Sequence, residues 1–160
     1  MPRRAGRPGG GSAPPGLGDE QYRALADFRR SLREFLAFSD AAALAEGVTP
    51  QQHQALLAIR GCGAGATISI GDLAERLGVA NHSAVGLVER LVERGLVSRG
   101  RSPQDRRRVM VELRPEGALI LARISAQNIG ELARMAGFLA QVRRRIRQVR
   151  AKAPPSDPSG

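Results

Sequence analysis

Five arginines, Arg99, Arg101, Arg106, Arg107 and Arg108, fall within ten residues and meet a single acid there, Asp105. A guanidinium is a planar bidentate donor suited to phosphate oxygens, and it also fits the electronegative minor groove of a duplex. The chemistry on offer is anion binding. Asp105, two residues before Arg107, has an internal use: it holds that side chain extended, so that less rotamer entropy is lost on binding. A run of charge is usually only a solvated loop. Its meaning depends on what holds it.

Other chemistry has little to work with. His53, His82 and Cys62 are the only imidazole and thiol groups, and neither a phosphate-binding glycine loop nor a paired ligand motif such as HExxH accompanies them. No enzyme, no cofactor and no metal site is expected. A single cysteine excludes an intrachain disulfide and a thiolate cluster. Cys62 stands in RGCGAGA, where redox sensing would require a depressed pKa and Arg60 alone supplies a local field. His53 shares a mostly apolar helical face with Leu56, Leu57 and Arg60, which suits a satisfied structural histidine, a ligand contact or a pH-sensitive group.

The arginines need a tip, and the flanking residues supply one. Leu96–Arg99 and Arg108–Leu113 read as strands, the second with Val109, Val111 and Leu113 alternating against Arg108, Met110 and Glu112. Gly100, Ser102 and Pro103 lie between them as turn formers. The hairpin is a charged wing, with Thr67-Ile68 as a third strand at its base. Before it, Ile70, Leu73, Ala74 and Leu77 form one helical stripe, with Ser69 as N-cap and Gly78 as the stop. A second stripe, Ala84, Leu87, Val88 and Leu91, follows after a short turn and ends at Gly95. Two short helices joined by a tight glycine-containing turn are a helix-turn-helix signature. Alone they would equally suit an ordinary helical hairpin; the basic hairpin behind them favours a DNA reader.

In such a reader the second helix enters the major groove N-terminus first. Asn81 is read as its cap, and His82, Ser83, Gly86, Glu89 and Arg90 lie on its outer face. Asn81, His82 and Ser83 are the candidates for base contact. Gly86 carries no side chain, so it either permits close backbone approach or marks a weakly reading position.

The run DLAERLGV, then SAVGLVERLVERGLVSR, then DRRRVMVEL and PEG resembles the winged helix-turn-helix core of the MarR family of bacterial transcriptional regulators, closely from Thr49 to Gly117 and by pattern beyond. The family's Asp-x-Arg pair maps onto Asp105 and Arg107, which implies Arg107 as a minor-groove probe. Two departures stand out. Ala80 and Arg114 replace the Ser or Thr common before the recognition helix and the Thr common before Pro-Glu-Gly, and Gly86 falls where relatives often carry Arg or another polar side chain.

The fold expected is mainly α with a small β-wing, a winged helix-turn-helix core (49–113) flanked by N- and C-terminal dimerisation helices (19–46 and 115–150) in one domain spanning 19–152. Residues 1–18, a basic Gly/Pro-rich tail, and residues 153–160 are expected to be disordered. Asp19 is read as the cap of the first helix, with Leu25, Phe28, Leu32, Phe35, Leu36 and Ser39 on a seam-like face. Thr49-Pro50-Gln51-Gln52 reads as a capping box. Pro115 opens a helix carrying Leu119, Leu121, Ile124, Ile129, Leu132 and Met135, with a bend expected at Asn128 and Gly130 and a break at Gly137 before a last helix through Val142 and Val149.

The chain's 160 residues carry a formal charge of +10, with Lys152 as the only lysine. Such a balance favours an anionic partner, nucleic acid or a membrane surface. No apolar run approaches the ~20 residues of a span, and no apolar stretch follows MPRRAGRPGGG to make a secretory signal. No membrane association and a cytoplasmic location are expected.

More apolar helix surface than one reader can cover points to a two-fold dimer. The DNA-binding set expected is Asn81, His82, Ser83, Gly86, Arg90, Arg99, Arg101, Asp105, Arg106 and Arg107. With double-stranded DNA as partner, the resemblance implies a homodimeric repressor of a pseudo-palindromic operator. It also implies release by a small aromatic or apolar effector in a crevice lined by Phe35, Phe38, Ser39, His53, Leu57 and Ile124. The competing reading is a nonspecific architectural or protein-binding winged helix without effector control. Preference for one duplex sequence separates the two.

Overall fold

Three-residue side-chain reaches start two of the short helices. In the computed structural model, which describes residues 18–103 and 105–152 and the side chains as far as 144, Thr49 Oγ1 accepts the Gln52 amide at 3.2 Å and Gln52 Oε1 accepts the Thr49 amide at 3.0 Å. That reciprocal box, with Pro50 in the first turn, opens α2 (Pro50–Arg60). Ser69 Oγ accepts the Asp72 amide at 3.1 Å and opens α3 (Ile70–Leu77), which Gly78 closes at a φ of 65° that only glycine adopts freely. Both starts follow the sequence reading. The two expected tails lie outside the described residues, except for Gly18.

Helix α1 (Asp19–Ala45) is capped by Gly18, not Asp19: Gly18 holds the extended backbone a cap requires, and Gln21 Oε1 accepts its amide at 2.7 Å. Helix α4 (Asn81–Glu93) follows α3 after the Gly78–Ala80 turn. Strands β1 (Ile68–Ser69), β2 (Val97–Arg101) and β3 (Val109–Leu113) make an antiparallel sheet in the order β1-β3-β2. Ile68 pairs with Val111, and β2 runs from Val97 opposite Leu113 to Arg101 opposite Val109. The third strand expected at the wing's base is present one residue later than Thr67-Ile68, at Ile68–Ser69.

Helix α5 (Pro115–Lys152) is one element of 38 residues, without the break expected at Gly137. A single glycine costs a helix interior only about 1 kcal/mol relative to alanine, and Gly137 is absent from the glycines at positive φ, so its backbone continues the helical ladder. Propensity alone did not stop the helix.

The core gathers Leu56 and Ile59 of α2, Leu73 of α3, Leu91 of α4, Leu96 just before β2, Val97 and Val111 of the sheet, and Ile124 of α5, each at most 2% exposed. α5 enters this core by its first turns. Arg114 donates its amide to the Leu96 carbonyl at 3.1 Å, and Gly117 lies so close to the same carbonyl that a Cβ would stand 2.1 Å from the oxygen. Only glycine fits there. Along α1 the buried stripe is made of small residues, Ala24, Ser39, Ala42 and Ala43. The larger residues of the expected seam divide differently: Leu25, Phe28, Leu32 and Leu36 are exposed and Phe35 is half-buried. α1 and α5 are tied by Asn128 Nδ2 donating to Ser39 Oγ at 3.0 Å and by the Arg123–Glu46 ion pair at 2.6 Å. No helix of the described residues is long and apolar enough to cross a membrane.

Candidate nucleic-acid interface

The outer face of α4 exposes Asn81, His82, Ser83, Glu89 and Arg90. Asn81 is not the cap. Ala80 holds the extended conformation immediately before the helix, at φ −65° and ψ 148°, and has no side-chain acceptor to offer. Asn81 already has helical backbone, so its side chain cannot fold over the first turn as a cap does. Ser83 and Ala84 donate to the Ala80 carbonyl, while the first-turn amides of Asn81 and His82 keep no backbone acceptor among the described residues. A helix start in this condition suits a phosphate oxygen.

Gly86 is half-buried, and a Cβ built on it would lie 3.5 Å from Arg90 Nη1. Long helical side chains lean toward the N-terminus, onto the residue one turn back. Arg90 therefore covers the place that a side chain at position 86 would fill. The spacing of four was the available signal, which reading Gly86 alone overlooks.

The five wing arginines separate into two groups. Arg99 meets Glu89 of α4 at 3.7 Å, and Arg108 meets Asp72 of α3 at 2.7 Å. Arg101, Arg106 and Arg107 are exposed, without a side-chain partner among the described residues. Asp105 acts differently from the expectation: its Oδ1 accepts the backbone amide of Arg107 at 2.9 Å, so it shapes the turn and does not hold the guanidinium. Backbone geometry explains this, since an aspartate readily accepts from the amide two residues on. Ser102, itself buried, accepts the Asp105 amide at 3.3 Å and donates its own amide to the Arg108 carbonyl at 3.0 Å. Among the described residues, the tip leaves three cations without a side-chain partner. Between it and α4 runs a cleft of about 360 Å³ whose lining includes Asn81, Val85 and Arg107.

The residues expected around an effector are not equivalent. Ser39 and His53 are buried, Phe35 and Phe38 half-buried and Leu57 half-exposed. Ile124 is sealed in the core with no exposure, so in the single chain it lines no open crevice. His53 Nε2 and Asn128 Oδ1 are buried without a hydrogen-bond partner among the described residues. Burial lowers the His53 pKa from its ordinary 6.5, and Asp40 partly opposes that shift. Cys62 is half-buried with its thiol donating to the Ala58 carbonyl at 3.5 Å. No group of three or more potential metal ligands occurs among the described residues.

Two helices set by a glycine turn, a hairpin wing and a third strand at its root define a winged helix-turn-helix protein. The MarR family model matches residues 46–108, the stretch that contains α2, the reader and the wing tip. Over those residues the chain is similar to the MarR family. A putative transcriptional regulatory protein for the hcr operon of Thauera aromatica is 35% identical over 96 residues, 60% of this chain and 56% of that protein. The chain thus spans a little over half the length of this relative. The apo structure of MarR from E. coli superposes with a TM-score of 0.61 at 23% identity, covering 76% of this chain and 92% of that one. CouR from Rhodococcus jostii RHA1, bound to p-coumaroyl-CoA, gives 0.59 at 23% identity, with 82% and 92% covered. These two structures share the fold.

Proposed function

We propose that the chain is a sequence-specific DNA-binding transcriptional regulator, a homodimeric repressor of a pseudo-palindromic operator. The observation that carries this reading is the pairing of the exposed wing arginines Arg101, Arg106 and Arg107 with the uncapped start of α4, Arg107 and Asn81 lining one cleft. α4 reads the major groove with Asn81, His82, Ser83 and Arg90, and Arg107 enters the neighbouring minor groove while Arg101 and Arg106 hold phosphates. Phosphate contacts position the protein and base contacts give it a preferred sequence.

The exposed Leu25, Phe28, Leu32 and Leu36 on α1, with Leu119, Ile129 and Leu132 on α5, supply a two-fold interface. Two readers then meet half-sites about 10 bp apart, or a multiple of that spacing. Release by a small apolar or aromatic effector belongs to the same proposal. It acts near Ser39 and His53, where two buried polar atoms lack partners, and it needs higher affinity for a reader spacing that does not match the grooves. That CouR holds p-coumaroyl-CoA supports a ligand of this kind.

Selection of bound fragments from a random duplex library tests the function. A pseudo-palindrome should emerge, preferred ~10³-fold or more over unrelated duplex. Equal binding to all duplexes at physiological ionic strength would leave a nonspecific architectural protein instead.

A further inference from the structure

Arg108 differs from the other wing arginines in what it joins. Its backbone closes the wing turn, its amide donating to the Asp105 carbonyl at 2.9 Å and its carbonyl accepting from Ser102 at 3.0 Å. Its guanidinium leaves the wing. Nη2 donates to Asp72 Oδ2 at 2.7 Å and to Ser69 Oγ at 3.0 Å, across 36 and 39 residues of sequence. Ser69 is already committed twice, as the β1 residue opposite Met110 and as the cap that accepts the Asp72 amide. One nitrogen therefore fastens the wing turn to the start of α3, and α3 is joined to α4 by the rigid turn at Gly78. The carboxyl of Asp72 is held below its ordinary range, by the Ser69 hydrogen bond first and by the Arg108 guanidinium as well, so it remains charged at neutral pH.

We propose that Arg108 is a positioning residue which, through Ser69 and Asp72, fixes the pitch of the wing relative to α4, and that it is not one of the arginines that grip DNA. The proposal rests on the DNA-binding function above. An exposed ion pair adds little to global stability, and this pair is half-exposed on both sides, at 50% and 54%. What it supplies is orientation: α4 and the wing tip must reach adjacent grooves together, and a loose wing loses that register before it loses any charge.

The test compares Asp72→Asn and Arg108→Gln with the wild-type chain on the duplex selected above. Each variant should bind that duplex at least about tenfold more weakly, and each should leave the dependence of log affinity on log salt unchanged, because no phosphate contact is lost. The exchange Asp72→Arg with Arg108→Asp should recover most of the loss. Tighter binding by Asp72→Asn with a steeper salt dependence would overturn the proposal, since it would mean that a freed Arg108 reaches phosphate.

A second measurement needs no DNA. Spin labels at Glu75→Cys and Pro103→Cys, in a Cys62→Ala background diluted with unlabelled protein, report the distance from α3 to the wing tip. That distribution should broaden in both variants, and an unchanged distribution would reject the lock even if DNA binding stands. If the wild-type chain selects no duplex while the distribution broadens, the DNA-binding function falls and the lock survives.

Discussion

The reader and the two long helices bury their apolar residues by different means. From α2 to β3 most of the large side chains are covered by the chain's own neighbouring elements: Leu56, Leu73, Leu91 and Leu96 are sealed, while Leu57 stays open. On α1 the sealed residues are small, and Leu25, Phe28, Leu32 and Leu36 stay open, as do Leu119, Ile129 and Leu132 on α5. An apolar face of that extent has the composition of an interface core. The contrast separates what the chain covers by itself from what the proposed dimer would cover, and each half of it can be broken by a substitution.

The largest effect is expected inside the reader. Leu91→Ala removes a fully buried side chain from α4, and should lower the free energy of unfolding by about 2–5 kcal/mol in urea titrations. A loss below about 1 kcal/mol would mean that the reader core repacks freely. Leu32→Glu tests the other half. It should leave the helical circular dichroism intact and raise the dimer dissociation constant at least about tenfold, equivalent to about 1.4 kcal/mol, by light scattering across a dilution series. A dimer as tight as the wild type would place the interface elsewhere.

Arg107→Ala sharpens the comparison from the reader's outer side. Because this guanidinium has no side-chain partner among the described residues, its removal should weaken operator binding by about 1 kcal/mol or more and lower the salt slope by about one phosphate equivalent, as read by fluorescence anisotropy. No change would remove the wing tip from DNA recognition.

The smallest effect lies between the two regions, at His53. Burial lowers its pKa below 6.5, so in the interval just beneath that value the unfolded chain binds more protons than the folded one. The stability that His53 contributes is complete above 6.5 and is lost as the pH falls through this interval toward the lowered pKa. The urea midpoint should fall between about pH 7.5 and pH 5, and His53→Gln should flatten the step. The lowered carboxyl of Asp72, whose contribution is lost only below its ordinary 3.8, does not interfere there. An equal fall in the variant would assign the step to another group.

The parts legible in the sequence are those fixed by short-range geometry. Thr49 with Gln52, and Ser69 with Asp72, declare their helix starts because cap and acceptor lie three residues apart. The apolar stripes of α3 and α4 and the alternation of β3 were readable for the same reason, and so was the MarR-like wing. Where the reading departed, the deciding fact was less local. Asn81 and Ala80 are adjacent, and only backbone angles determine which of them stands outside the helix. Gly137 is a weak breaker against the cooperativity of a helix that continues on both sides. The division of the wing arginines was hidden because Arg108 meets a residue 36 positions away, and no periodicity reports such an approach.

One backbone contact has mechanical reach. Gly117 stands where even a methyl group would collide with the Leu96 carbonyl, leaving no compressible side chain between the first turn of α5 and the strand that leads into the wing. A helix of 38 residues extends about 57 Å at 1.5 Å per residue. A swing of roughly 5 Å at its far end is then a tilt of only about 5° about that pivot. The root of the hairpin thus sits at the short end of a long arm, where a tilt of α5 would bear on backbone and not on a compressible side chain.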